Sequence, residues 1–186
     1  NLVGRQLPGF ADTAQIRQAS PGLVYAINEA QVGVQQRLGV RPGSGDTAQA
    51  VSTPVLLAEL QQRKQALKQA ASTPIERATI EIVAMMFQAI LTEDRIPAAI
   101  RVWFARLQMP VLRVAVSEPD FFATIDHPAR RLIDRMGACV MGFDSSPENA
   151  GEALSKEVKR VVQVVEAYPD TGRRVFQTVL IEFEKF

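Results

Sequence analysis

The sequence is poor in the residues that most site chemistry needs. It holds one cysteine, Cys139, and one histidine, His127, in 186 residues. A single cysteine cannot form an internal disulfide. That fits a reducing compartment and excludes a small disulfide-stapled scaffold. The same scarcity leaves no ligand set for structural zinc, and no H-E-x-x-H, C-x-x-C or EF-hand spacing occurs. No metal and no cofactor are expected. A charge excess of one sign is also missing, with 21 Lys and Arg against 20 Asp and Glu. Nucleic-acid binders draw affinity from phosphate neutralisation and show a basic excess, so nucleic acid is not an expected partner. No apolar run approaches the ~20 residues that cross a bilayer. No charged segment followed by an apolar one opens the chain. A cytoplasmic protein without membrane insertion is the expectation.

What is present is a core. Hydrophobic residues make up 47% of the chain, enough to fold and too many for a disordered tail. Their spacing is helical almost throughout. Leu23, Ile27, Ala30, Val34 and Leu38 step by three and four, with Pro21 near the start and Gly39 after the end. A second helix over 54–71 opens at Thr53-Pro54 and carries Leu56, Leu60 and Leu67 on a narrow stripe. A third follows the Ser72-Thr73-Pro74 cap, with Glu76 complementing its N-terminus. It is apolar on most sides from Ile80 to Leu91, which predicts a central place in the bundle, with Met85 and Met86 as core filler.

The fourth segment aligns Ile100, Trp103, Phe104 and Leu107. Pro110 is expected to kink or restart it, and Pro119 to end it. A helix over 128–142 carries Leu132, Met136, Cys139 and Phe143, which predicts a buried, inert thiol. Leu154, Val158, Val161, Val162 and Val165 define a helix at 151–167, and Val175, Val179, Phe183 and Phe186 the last at 172–186. The fold class read from this is all-α: a multi-helix bundle or helical-hairpin array of seven or eight helices with no sheet. Residues 1–38 read as an N-terminal helical segment, 39–53 as a flexible linker rich in Gly, Pro, Ser and Thr, and 54–186 as the main helical domain. Gly43-Ser44-Gly45 lacks the strand and the Lys-Ser/Thr of a phosphate loop. Residue 1 is Asn, and the chain is expected to be a piece of a longer protein.

Chemistry concentrates in "PDFFATIDHPARRLIDR", residues 119–135. Pro128 fits a first helical turn, which puts Asp126 or His127 at the cap. Arg130 and Asp134 are spaced to pair on the helix surface. A histidine beside a carboxylate can also serve as a general base, so a hydrolase using Asp126 and His127 is a third and last reading. The arginines offer a second one: His127, Arg130, Arg131 and Arg135 as a site for a nucleotide or another phosphorylated small molecule. Arg173 and Arg174 open the last helix, where cations oppose the dipole; a solvated surface offset by Asp170 is the first expectation there, and an anion or acidic partner the second. The first reading is non-catalytic. Apolar faces, with Phe121, Phe122, Phe183 and Phe186 as contact residues, would bind another protein or the rest of this chain, with a homo-oligomer as a further option.

Residues 95–135 resemble the signature region of a bacterial family, the domain of unknown function numbered 1631. The resemblance rests on Leu107-Gln108-Met109-Pro110, on Pro119-Asp120-Phe121-Phe122, and on the run from His127 to Ile133. Ser117 and Met109 depart from the family pattern. The resemblance implies a longer cytoplasmic bacterial protein and carries no activity onto residues. Some members bear a thymidine-phosphorylase-related label, which these residues do not support: there is no glycine-rich phosphate loop and no α/β alternation.

Overall fold

The computed structural model describes residues 19–37, 53–118, 120–123, 126–142, 148–168 and 172–185. These form α1 (Pro21–Arg37), α2 (Thr53–Ala70), α3 (Pro74–Leu91), α4 (Ala98–Ser117), a single turn α5 (Asp120–Ala123), α6 (Pro128–Gly142), α7 (Glu148–Ala167) and α8 (Arg173–Lys185), with no strand among the described residues. The all-α reading therefore holds. No helix in the described residues is long and apolar enough to cross a membrane. Leu38, Phe143, Phe186 and nearly all of the expected linker lie outside the described residues; Thr53 begins α2.

The helices arrange around α4. It packs against α3 and α1 on one side and α7 on the other, while α2 closes the first group by contacting α1 and α3. On the far side α8 bridges α6 and α7. Fifteen of the twenty residues of α4 are buried, which makes it the central helix. The sequence pattern had pointed to α3 for that place. Pro110 neither ends nor restarts α4, which runs from Ala98 to Ser117. The missing Pro110 N–H costs one intrahelical bond, but the turn around it, from Leu107 to Leu112, is wholly buried. Side chains such as Leu107, Met109 and Leu112 each gain about 1.5–3 kcal/mol on burial, which outweighs the defect.

Helix starts follow the local chemistry. Thr73 Oγ1 accepts the Glu76 N–H at 3.1 Å, as an N-cap should. Glu76 goes further than its own helix. Its carboxylate accepts the Ser72 N–H at 3.0 Å and, 56 residues away, the Ser20 N–H at 2.8 Å, tying the start of α1 to the α2–α3 turn. Leu23 and Ile27 of α1 belong to the same core as the later helices.

Candidate functional site

The 119–135 stretch builds a junction where four helix ends meet. Glu118 follows α4 with extended backbone (φ −126°, ψ 106°), as a residue before proline prefers. His127 precedes α6 and caps it twice. Its carbonyl accepts the Arg131 N–H at 2.9 Å, and its Nδ1 accepts the Ala129 N–H at 3.1 Å. An accepting Nδ1 carries no hydrogen, so the proton sits on Nε2 and is donated to Glu118 Oε1 at 3.1 Å. Phe121 of α5 meets the imidazole edge-on, with ring centroids 5.1 Å apart. The other Glu118 oxygen, Oε2, accepts the Arg173 N–H at 3.2 Å at the start of α8. Gly172 turns the chain there at φ +58°, and a Cβ on it would stand 3.3 Å from Glu118 Oε2. The acidic group beside Arg173 is Glu118, 55 residues earlier in the chain, while Asp170 lies outside the described residues.

This arrangement fixes helix ends; it presents no reactive nitrogen. His127 is fully buried and both ring nitrogens are engaged within the chain. Asp126 is exposed, and the carboxylate that orients the ring is Glu118. The arginines are spread by the helix. Arg131 and Arg135 both point to Glu184 of α8, at 3.3 and 3.2 Å, and Arg130 is half-buried and engaged within the chain. A phosphate seeking Arg131 and Arg135 would have to displace Glu184.

The aromatic residues divide. Phe121 and Phe183 are buried inside this chain, and Phe122 is half-buried against Phe121, edge to face at 4.8 Å. The apolar face of α8 is covered by α6 and α7. Cys139 is half-exposed rather than buried, because Val140 beside it takes the inward place. Two shallow recesses, one between Pro110, Val114, Tyr168 and Val175 and one between Val34, Leu56, Leu60 and Ala105, each have room for about one water molecule. Among the described residues no three His, Cys, Asp or Glu side chains group as metal ligands would.

Two features were missed by sequence reasoning. The first is a buried ion pair between α4 and α7. Arg106 grips Glu166 with both ends of its fork, Nε to Oε2 at 3.2 Å and Nη2 to Oε1 at 2.7 Å, and its guanidinium lies 4.8 Å from the Trp103 ring centroid. Sixty residues separate the partners, so no local pattern announces them. The second is on α3. Ile75, Ala78, Ile82, Met85 and Ala89 are all exposed, Met85 by 65%. Their spacing alternates three and four residues, which makes one seam along the helix, about 21 Å long at 1.5 Å per residue. The core face of the same helix uses Ile80, Val83, Ala84, Phe87 and Leu91. Hence α3 is apolar on two faces, and among the described residues only one is covered. Met85, expected as core filler, stands on the outer one.

The family model described as "Protein of unknown function (DUF1631) 2nd domain" matches residues 17–172. Comparison with curated proteins and with solved structures finds no match. The chain belongs to the DUF1631 family, as the run from Arg95 to Arg135 suggested.

Proposed function

We propose that this DUF1631 domain is a non-catalytic protein-interaction module and that its docking surface is the outer face of α3. The observation that carries this is the exposed seam Ile75–Ala78–Ile82–Met85–Ala89. Single exposed apolar side chains are ordinary, but a contiguous row at heptad spacing is what one helix offers another. The flank of the seam is polar. Arg77, Glu81 and Gln88 run along it, and Glu81 is held by Lys68 at 2.6 Å and Lys64 at 3.6 Å from α2. An apolar stripe with a charged rim is the usual anatomy of such an interface. The groups that would serve a catalytic or phosphate-binding reading are engaged elsewhere: His127 with Glu118 and Ala129, Arg131 and Arg135 with Glu184.

The test compares the native protein with Ile82→Glu by size-exclusion chromatography of a gently prepared lysate, with urea unfolding of each purified chain as control. The expected result is a larger particle for the native protein, its loss in the variant, and an unchanged urea midpoint. Identical elution of the two proteins at equal stability would overturn the reading.

A further inference from the structure

We infer that the occupant of this α3 face is an acid-edged amphipathic helix of another protein: an apolar row at heptad spacing, with Asp or Glu along the side that lies over α2. This deepens the interaction reading and rests on it. Charge carries the inference. Three cations, Lys64, Lys68 and Arg77, line the α2-side edge of the seam together with one carboxylate, Glu81. Both lysines lean on that carboxylate, Lys68 at 2.6 Å and Lys64 at 3.6 Å. One negative charge shared between two ammonium groups leaves the edge cationic. Gln61 and Gln65, three residues before each lysine, are exposed and uncharged. The opposite edge is apolar, with the half-buried Met86 and Ile90. A partner's carboxylates therefore find attraction on one side of the seam, which sets both their sign and the rotation of the docked helix.

The same edge argues against other occupants. A second copy docked antiparallel would set the cationic edge against itself, and docked parallel would lay it on the apolar edge and strip its water. Residues 1–18 bring Arg5 and Arg17 with one acid, Asp12, which is the wrong sign for this edge. A lipid surface rewards large apolar side chains, whereas Ala78 and Ala89 interrupt the row with small ones. In helix packing those two positions are the holes that a partner's Leu or Ile fills.

The probes are two synthetic helical peptides of about three heptads with Leu at the a and d positions. One carries Glu along a single edge, and the other carries Lys at the same places. Fluorescence anisotropy with the native full chain at low salt reads their binding. Edge pairs change from attraction to repulsion between the two, so the Glu-edged peptide is expected to bind about tenfold tighter or more. Lys64→Glu/Lys68→Glu should invert that preference, and Ile82→Glu should remove binding of both, with urea unfolding checking that each variant folds. If the double reversal does not fold, Lys64→Gln/Lys68→Gln is expected to cut the preference below about threefold. Equal affinity for the two peptides, or a preference for the Lys-edged one, overturns the acid edge. So does failure of both to bind at about 1 mM. In either case, a lysate particle that still shrinks with Ile82→Glu leaves the docking face standing with a different occupant. Self-association of the native chain in sedimentation equilibrium, or cosedimentation with phosphatidylserine vesicles, overturns the inference if Ile82→Glu abolishes it, and assigns the face to a second copy or to a membrane. If neither the peptides nor the lysate particle responds to Ile82→Glu, both inferences fall.

Discussion

Removing Glu166 should cost this fold a large part of its stability. The Arg106 and Glu166 side chains retain only 10% and 5% of their exposure, and the guanidinium is gripped at both ends. Glu166→Ala leaves that cation inside the protein with Trp103 as its remaining favourable contact. Breaking one side of a buried pair costs about 3–5 kcal/mol, because the other charge stays desolvated. Against a typical total of about 5–15 kcal/mol this is a large share. For a chain of this length it corresponds to a fall in melting temperature of roughly 6–20 °C. The pair also joins α4 to α7, so the loss falls on the contact between the two groups of helices. The double variant Arg106→Met/Glu166→Leu should behave differently. With both charges gone and similar volume kept, stability is expected to return to within about 1 kcal/mol of native or to exceed it. Urea unfolding followed by far-ultraviolet circular dichroism measures all three proteins. A Glu166→Ala chain within about 1 kcal/mol of native, or a double variant as unstable as the single one, would refute this reasoning.

Further outcomes follow from the caps. His127→Ala removes the α6 cap and takes the imidazole donor from Glu118 Oε1, so the melting temperature should fall. His127→Asn should recover about 0.5–2 kcal/mol of that loss, since Asn is a good N-cap; equal melting of Ala and Asn variants would contradict the cap. For Glu76, burial pushes the carboxyl up. The N–H and hydroxyl groups of Ser20 and Ser72 more than offset this, holding it below the ordinary 4.5. A carboxylate with a lowered pKa stabilises the fold above its unfolded value, and that contribution is lost as pH falls through the lowered folded value. Glu76→Gln should therefore cost about 1.5–3 kcal/mol at pH 7, and its deficit should shrink below about pH 4.5. A deficit independent of pH in urea titrations would show that the charge of Glu76 does not matter.

Local signals were legible and long-range ones were not. The Leu56, Leu60 and Leu67 stripe, the Thr73 cap and the valines of α7 sit where three-four spacing and capping chemistry put them. Of the kink or restart expected at Pro110 the restart does not occur, because burial on all sides of α4 holds the helix together. A cap at Asp126 or His127 was readable from Pro128, and the structure gives it to His127. Its partner was not, since Glu118 reaches it across the α5 turn and carries α8 as well. The residues of the exposed α3 seam were in the sequence from the start. Composition says that α3 is apolar on most sides, but only the fold tells which side α2 and α4 cover.

The central claim is that the outer face of α3 is a working surface while the His127 junction is a structural one. A photoreactive amino acid placed at Met85 in the cell, with the same group at exposed Gln163 on α7 as reference, tests it most directly. The account predicts a discrete crosslinked species from position 85, none from position 163, and loss of the first when Ile82→Glu is added. Position 85 as silent as position 163, in a protein that folds normally, would contradict it.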